Sequence, residues 1–238
     1  MTLRINIWSS PRNISTALMY SWRQRSDSSV VDEPLYAHYL RVTGLDHPGR
    51  EAILASQDSD GEAVVRDLML GPWDKPVVLF KQMAKHLVSL DRGFLNQCTN
   101  VLLTRDPREM LLSFSKVVPD ATLAETGFTE MVEILDASLA AGNPPIVVDA
   151  GALLRDPVHV LVELCSRLRL SYDDAMMSWP AGPKPEDGVW APHWYASVHE
   201  STTWSPWTRR TGELSTELTS VLAEALPLYR RLQEYAIT

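Results

Sequence analysis

Short apolar runs alternate with longer amphipathic stretches along this chain of 238 residues. The runs are rich in β-branched and other apolar residues, as strands buried on both faces of a sheet are. The predicted strands are 3–8, 28–31, 77–80, 99–104 and 145–149. The predicted helices are 15–25, 49–57, 62–70, 107–117, 128–141, 157–169 and 213–235. The alternation predicts an α/β fold with a central parallel sheet of about five strands flanked by helices, in a single domain over residues 1–238.

Residues 179–207 depart from this alternation, because they are rich in Trp and Pro and have no clear period. Long irregular segments of compact domains are often lids or binding surfaces. A Pro-rich wrap whose tryptophans fill gaps in the core fits the same residues equally well. The aromatic residues that would either line a pocket for a sugar ring or planar metabolite or belong to the core are Trp190, Trp194, Tyr195, Trp204 and Trp207, with Tyr36 and Tyr39 elsewhere in the chain.

Composition and charge narrow the class of protein. A hydrophobic content of 45% and a charged content of 22% are ordinary for a soluble globular protein, and a net charge of −8 argues against a general nucleic-acid binder. Cys98 and Cys165 are too few and too far apart for a disulfide framework, which favours buried free thiols in a reducing compartment. Since no signal peptide or membrane-spanning stretch is evident, we expect a cytoplasmic protein without a nucleic-acid or membrane partner.

The stretch NIWSSPRNISTALMYSW, residues 6–22, is a predicted strand, a polar turn and a helix. The beginning of a helix has unpaired backbone N–H groups and partial positive charge, both of which favour anions. Arg12 adds a fixed charge whose planar fork suits phosphate or sulfate oxygens. A capped helix with a solvated arginine fits the same residues, so this stretch alone does not decide.

A second stretch, LLTRDPREMLLSFSK, adds the same kind of chemistry. An apolar strand ends directly at Arg105, a helix begins at Pro107, where its missing N–H costs nothing, and Ser113 follows two helical turns later. The two stretches together resemble those of the sulfotransferases that depend on 3′-phosphoadenosine 5′-phosphosulfate. In that family a P-K-S-G-T-T loop follows the first strand, and a later strand-end arginine with a serine eight residues on grips the 3′-phosphate.

The resemblance covers roughly residues 3–215 and implies a divergent bacterial-type member with a P-loop NTPase-like fold. The first motif falls on Pro11, Arg12, Asn13, Ile14, Ser15 and Thr16, and the second on Arg105 and Ser113. A weaker likeness in TRRTGE implies that Arg209 or Arg210 helps to hold the 3′-phosphate. Arg12 stands where the family usually has lysine, and Ile14 replaces a glycine that lets the backbone approach the sulfate. The resemblance implies this sulfate donor as cofactor, adenosine 3′,5′-bisphosphate as its product, and no metal.

An acceptor hydroxyl also needs a base, and the sequence offers two candidates. Glu33 follows the second predicted strand, at the edge of the sheet where ligands of α/β proteins bind, and its Glu-Pro pair is similar to that of several sulfotransferases. His86 is similar to a lysine-x-histidine region of cytosolic sulfotransferases, although its spacing from Lys81 is longer. Both candidates stay open, with Lys81 as an electrostatic helper. His38, His193 and His199 have no motif support.

We therefore expect sulfuryl transfer to a hydroxyl or amine of a small metabolite. The alternatives are a P-loop-type kinase that uses ATP and a non-catalytic module that kept the nucleotide-binding fold. The kinase would need a loop lysine, which is missing, and a strand-end aspartate such as Asp106 or Asp149 for Mg²⁺. The identity of the acceptor and the oligomeric state, with a homodimer as one alternative, are not determined by the sequence.

Overall fold

The computed structural model describes residues 2–237 and contains one six-stranded sheet in that range. All of its strand pairs are parallel, and their spatial order is β2-β3-β1-β4-β5-β6. The strands are β1 (Leu3–Ser9), β2 (Ser28–Asp32), β3 (Val77–Met83), β4 (Thr99–Thr104), β5 (Ile146–Asp149) and β6 (Ala236–Ile237). The α/β class and the parallel sheet with flanking helices are thus confirmed, with one strand more than expected.

Helices connect the strands and cover both faces of the sheet. The α-helices are α1 (Ser15–Arg23), α2 (Tyr36–Thr43), α3 (Arg50–Ser56), α4 (Gly61–Ala63), α5 (Pro107–Phe114), α6 (Leu123–Thr126), α7 (Phe128–Ala140), α8 (Ala150–Arg155), α9 (Pro157–Arg167), α10 (Ala191–Trp194), α11 (Ala196–His199) and α12 (Thr216–Gln233). A π-helix (Val64–Met69) continues α4, and 3₁₀ turns occupy Ala84–His86, Arg92–Gln97 and Asp174–Met177.

The core has one layer on each face of the sheet, because side chains alternate between the faces of a strand. Ile5 and Ile7 of β1 pack in one layer with α1, α8 and α9. Trp8 packs in the other layer with α5, α7 and α12. Both layers are buried, which explains why the strands are nearly continuous apolar runs in the sequence.

Strand register brings the carboxyl ends of four strands to one edge of the sheet. Ser9 at the end of β1 is paired with Met83 of β3 on one side and with Leu103 of β4 on the other. Asp32 at the end of β2 is paired with Lys81 of β3. The loops that follow β1, β2, β3 and β4 therefore meet at this edge, where α/β proteins usually bind their ligands.

Several predicted boundaries differ from the structure. The third strand continues from residue 80 to Met83, and the last helix, predicted over 213–235, is shorter and is followed by β6. The sequence pattern did not predict α2, whose first five residues, Tyr36 to Leu40, are all buried and so give no amphipathic stripe. The two cysteines are free and buried, as predicted.

None of the helices within residues 2–237 combines the length and the apolar character that crossing a membrane requires.

The short β6 strand makes a testable contribution to stability. Ile237 is only 2% exposed and belongs to the core layer that contains α1 and α9. Replacing Ile237 with Ala should lower the free energy of unfolding by about 2–3 kcal/mol, since a buried isoleucine leaves a cavity. Urea unfolding would measure this loss. Val158→Ala is the control, because Val158 is 46% exposed and should change stability by less than about 0.5 kcal/mol. Equal losses in both variants would contradict the placement of Ile237 in the core.

Candidate active site

A cavity of about 600 Å³ opens at the carboxyl edge of the sheet. This volume is typical of sites for small molecules and cofactors. The segments that line it include the loop after β1, the ends of β2 and β3, Arg105 directly after β4, the end of α5 with the turn that follows it, and the irregular segment 179–207. The predicted site residues found in its lining are Pro11, Arg12, Asn13, Ile14, Ser15, Thr16, Glu33, His86, Arg105, Ser113 and Arg210. Arg209 is exposed and does not line the cavity.

The loop between β1 and α1 has the backbone of an anion-binding turn despite its lack of glycine. Arg12 and Ile14 both adopt positive φ values, 59° and 57°, in the left-handed region that ordinarily favours glycine. The side chain of Asn13 donates to the carbonyl oxygen of Leu103 in β4, which fixes the loop against the sheet. Within residues 2–237, no side chain caps the beginning of α1. The first-turn N–H groups of a helix have no intrahelical acceptor, and here the residues that carry them line the cavity.

Arg12 contacts both Ser113 and Arg105 in this cavity. Arg12 Nε donates to Ser113 Oγ at 3.2 Å, and Arg105 Nη1 donates to the backbone oxygen of Arg12 at 3.0 Å. Glu109, one helical turn after Arg105, accepts from its guanidinium at 3.1 Å. The buried ion pair orients Arg105, and Asp106 caps α5 by accepting from two backbone N–H groups. The two motifs, about ninety positions apart in the chain, thus form one wall.

Positive charge is concentrated on this wall. Burial lowers the pKa of Arg12, and the nearby charges of Arg210 and Arg105 lower it further. Glu109 neutralises part of the charge, but three guanidinium groups outnumber one carboxylate. Like charges gathered around a cavity at the beginning of a helix are an electrostatic arrangement suited to a multiply charged anion.

At the opposite end of the cavity, Lys81 lies between two carboxylates. Its ammonium is 3.1 Å from Asp32 Oδ1 and donates to Glu33 Oε1, and the lysine is only 2% exposed. Burial acts to lower the pKa of Lys81, yet Asp32 and Glu33 outweigh it and raise that pKa. For Glu33, burial dominates over the attraction of Lys81 and raises the carboxyl pKa. The cluster thus consists of two carboxyl groups on either side of one ammonium group.

The backbone of Glu33 is itself constrained. Its φ is 38°, a value that costs a residue with a side chain conformational energy. Its N–H donates to the carbonyl oxygen of Lys81 at 2.8 Å, and its own carbonyl accepts from Tyr36 N–H and the Gln57 side chain, each at 3.0 Å. These bonds fix the backbone of Glu33 directly after β2, and the carboxylate is thereby placed at the edge of the sheet. Oε1 is occupied by Lys81, and Oε2 has no hydrogen-bond partner in residues 2–237.

Tyr195 connects the irregular segment to this cluster. Its hydroxyl accepts from Lys81 at 2.7 Å and from Trp190 Nε1 at 3.1 Å, and it donates to Asp32 at 2.8 Å. The backbone N–H of Gly188 also donates to Asp32, at 3.2 Å. The segment is therefore attached to the end of β2 by two different hydrogen bonds to one carboxylate.

His86 is buried in an aromatic stack beside Glu33. Its ring centroid lies 4.7 Å from those of both Tyr36 and Tyr39, and the residue is 1% exposed. Burial lowers the pKa of His86 well below its usual range, and the charge of Lys85 adds to this effect. Nδ1 has no hydrogen-bond partner, and Glu33 Oε2 is 3.9 Å away, beyond hydrogen-bond distance. The imidazole is thus neutral at pH 7.

The aromatic residues divide between the cavity and other roles. The members that line the cavity are Tyr36, Trp190, Trp194, Tyr195 and Trp204, of which all but Trp194 are buried. Tyr39 packs behind His86, and Trp207 stacks against Arg155 outside the lining. The buried aromatic residues of the segment therefore act both as core residues and as pocket lining, since a tryptophan can be buried and still form one side of a pocket.

Sequence reasoning did not assign roles to Tyr195 in the Lys81 cluster, to Asp32, or to Lys85 in the cavity lining. Only Asp32 had a usable signal, because it directly follows a predicted strand and precedes Glu33. The histidines that lacked motif support lie elsewhere: His38 bonds to the Val88 carbonyl, His199 pairs with Asp187, and His193 is exposed. Within residues 2–237, no group of three or more His, Cys, Asp or Glu side chains has an arrangement that could hold a metal ion.

Residues 3–236 match the family model described as "Sulfotransferase domain". The chain therefore belongs to the sulfotransferase-domain family, which confirms the family resemblance.

The curated relatives are longer proteins, and they are named as aminotransferase-like proteins. The chain is 42% identical over 232 residues to "Branched-chain-amino-acid aminotransferase-like protein 1" of Arabidopsis thaliana, which is 97% of this chain and 42% of that protein. It is 39% identical over 230 residues to the corresponding protein 2 of the same plant, with coverages of 96% and 41%. The chain thus spans about two fifths of the length of these relatives.

Two solved structures share the fold. The sulfotransferase domain from the Synechococcus PCC 7002 olefin synthase superimposes with a TM-score of 0.57 at 17% identity, covering 94% of this chain and 95% of that one. A sulfotransferase from Alicyclobacillus acidocaldarius gives a TM-score of 0.57 at 16% identity, with coverages of 98% and 95%. At these identities the likeness concerns the fold alone.

The Tyr195 hydroxyl should contribute measurably to stability. Tyr195→Phe leaves Trp190 Nε1 without its acceptor and removes one bond each from Lys81 and Asp32. We expect the free energy of unfolding to fall by about 1–3 kcal/mol, the cost of unsatisfied buried polar groups. Thermal and urea unfolding would measure it.

Tyr235→Phe is the matched control, because the Tyr235 hydroxyl accepts a single bond from Arg231 at 3.2 Å near the surface. If the two phenylalanine variants lose the same stability, the Tyr195 cluster is not the structural anchor described above.

Proposed function

We propose that this chain transfers the sulfuryl group of 3′-phosphoadenosine 5′-phosphosulfate to a hydroxyl or amine of a small metabolite. The observation that carries the proposal is the shared cavity, whose lining contains both the arginine and serine wall after β1 and β4 and the Glu33 carboxylate after β2, which is an outer strand of the sheet. Membership of the sulfotransferase-domain family supports it. The wall provides binding for anions, and the carboxylate provides a proton acceptor.

The residues present fit this donor. It carries phosphate groups on both sides of its ribose, so it needs several donors and cations at adjacent points. The uncapped beginning of α1, with Arg12, Ser15 and Thr16, would hold the 5′-phosphosulfate. Arg105 and Ser113, with Arg210, would hold the 3′-phosphate. The Arg12–Ser113 hydrogen bond shows that the two groups of residues are close enough to serve one molecule.

Two departures from the family pattern are compatible with this assignment. Ile14 occupies the place of a glycine, but its φ of 57° gives the loop the backbone that the glycine would allow. Arg12 replaces lysine and adds a bond to Ser113, which lysine, with no Nε–H in that position, would not make in the same way. We propose that Arg12 neutralises the charge that grows on the leaving oxygen.

Glu33 is our proposed general base. The donor supplies an activated sulfuryl group on a good leaving group. The acceptor oxygen forms a new bond to sulfur as the bond to the leaving phosphate oxygen breaks, and the acceptor proton passes to Glu33 Oε2. Lys81 orients the carboxylate through Oε1. His86 packs beside Glu33 as a neutral ring and excludes water from that side.

The compartment, the oligomeric state and the extent of the domain stay predictions, as do the activity and partners of any longer protein that contains this chain.

Nucleotide binding is the first test. A hundredfold excess of adenosine 3′,5′-bisphosphate over its Kd, without Mg²⁺, should stabilise the fold by about 2.7 kcal/mol and raise the Tm by roughly 5–10 °C. Arg105→Ala should abolish most of this shift, whereas Arg12→Ala should chiefly lower turnover.

Arg167→Ala is the control, since Arg167 is an exposed residue of α9 paired with Glu163. A shift caused by ATP with Mg²⁺ and not by the bisphosphate would support the kinase alternative instead. No shift with either nucleotide would favour a module that has lost the site.

The base can be identified from the pH dependence of turnover, once a screen of metabolite pools has revealed a sulfated product. Glu33 accepts a proton only when ionised, and burial raises its pKa. Activity should therefore fall on acidification at a higher pH than an ordinary glutamate would produce. Glu33→Gln should lower kcat by about 10²–10⁴-fold and remove this acidic limb.

His86→Gln is the comparison variant, and it should retain the acidic limb. Loss of that limb in His86→Gln, with its retention in Glu33→Gln, would transfer the role of base to the histidine.

A further inference from the structure

Lys85 is a largely buried lysine whose ammonium group has no hydrogen-bond or ion-pair partner within residues 2–237. It lies in the 3₁₀ turn that follows β3, is 8% exposed, and lines the cavity. Its Nζ is 5.3 Å from the centroid of the Tyr39 ring. It makes no hydrogen bond or ion pair with any group in residues 2–237. A buried ammonium group ordinarily has such a partner, because its separation from water is costly.

Two of the three carboxylates near Lys85 are engaged elsewhere. Glu33 is bonded to Lys81, and Glu125 accepts from the backbone N–H and hydroxyl of Thr122 in the capping box of α6. Glu130 Oε2 has no hydrogen-bond partner within residues 2–237, but it does not reach Lys85. Burial lowers the pKa of Lys85, and Glu125, Glu33 and Glu130 oppose this from beyond ion-pair distance. An anion in contact with Nζ would provide the partner that the fold does not supply.

Lys85 belongs to the acceptor end of the cavity. Lys85 directly precedes His86, whose Nδ1 is 3.9 Å from Glu33 Oε2. The Tyr39 ring lies near both residues, with its centroid 5.3 Å from Lys85 Nζ and 4.7 Å from that of the His86 ring. The Tyr36 hydroxyl and His47 Nδ1 share a hydrogen bond of 2.8 Å in the same region. Because Lys85 and Glu33 line the same cavity, the lysine is placed to contact the molecule that meets Glu33.

We infer that Lys85 binds a carboxylate of the acceptor, so that the acceptors are hydroxy or amino acids. This inference rests on the proposed sulfuryl transfer and specifies its substrate class. A single ammonium group matches the single negative charge of a carboxylate, whereas a phosphate-like dianion would need further hydrogen-bond donors. A site with a buried charged group discriminates strongly against analogues that lack the matching group, since that group is then left unpaired.

Matched probes test the inference directly by calorimetry, with the protein saturated by adenosine 3′,5′-bisphosphate. The probes are 3-hydroxypropanoate, 3-hydroxyoctanoate and 4-hydroxybenzoate, each compared with its methyl ester. At least one acid should bind the wild type roughly tenfold more tightly than its ester, because a charge-assisted hydrogen bond is lost in the ester. Lys85→Met and Lys85→Gln should remove this preference and leave the nucleotide affinity unchanged.

Lys116→Met is the control variant, because Lys116 is an exposed lysine outside the cavity lining, and it should keep the preference. The inference is overturned if the wild type prefers none of the acids, or if both Lys85 variants retain the preference. Nucleotide affinity distinguishes a failure of the proposed function from a failure of the role inferred for Lys85. If the bisphosphate fails to bind the wild type, the proposed function itself fails; if it binds and no acid is preferred, only the role of Lys85 fails.

Discussion

The part of the cavity around Glu33 depends on one buried ammonium group. Lys81 is placed by the register of β3 against β2, which sets it opposite Asp32. From there it neutralises Asp32, holds one oxygen of Glu33 and donates to Tyr195. Without this charge two adjacent carboxylates would be buried together, which is unfavourable unless one of them is protonated. The position of the proposed base, the attachment of the irregular segment and the local charge balance therefore all follow from a single side chain.

The cavity is electrostatically asymmetric as a result. Its arginine wall is assembled from the ends of β1 and β4 and carries excess positive charge, whereas the ends of β2 and β3 carry a nearly balanced cluster. The parallel sheet explains the separation, because each strand delivers its following loop to a fixed place along one edge. Because these charged groups are buried, their electrostatic interactions are stronger than they would be at the surface.

Much of this arrangement was predictable from local sequence. Buried parallel strands appear as short apolar runs, and an arginine at a strand end with a serine two helical turns later forms a local unit, so both motifs could be located. The β6 strand could not, since two residues have no detectable period and pair only because α12 returns the chain to β5. The bond between Lys81 and Tyr195 joins positions 114 apart, and the isolation of Lys85 depends on what every neighbouring carboxylate does. Such properties arise from tertiary packing and have no local signature.

The two ends of the irregular segment lie side by side. Ser178 and Thr203 form an isolated antiparallel bridge, so the chain between them leaves and returns at one place. Trp190 and Tyr195, both between these positions, line the cavity, whereas the arginine wall lies wholly outside the segment. Loops with joined ends tolerate sequence change better than the elements they connect, provided that their buried contacts, here those of Trp190 and Tyr195, are kept. One side of the cavity and the arginine wall are thus encoded in separate stretches of the gene, so exposed positions of the segment can diversify while the wall is kept.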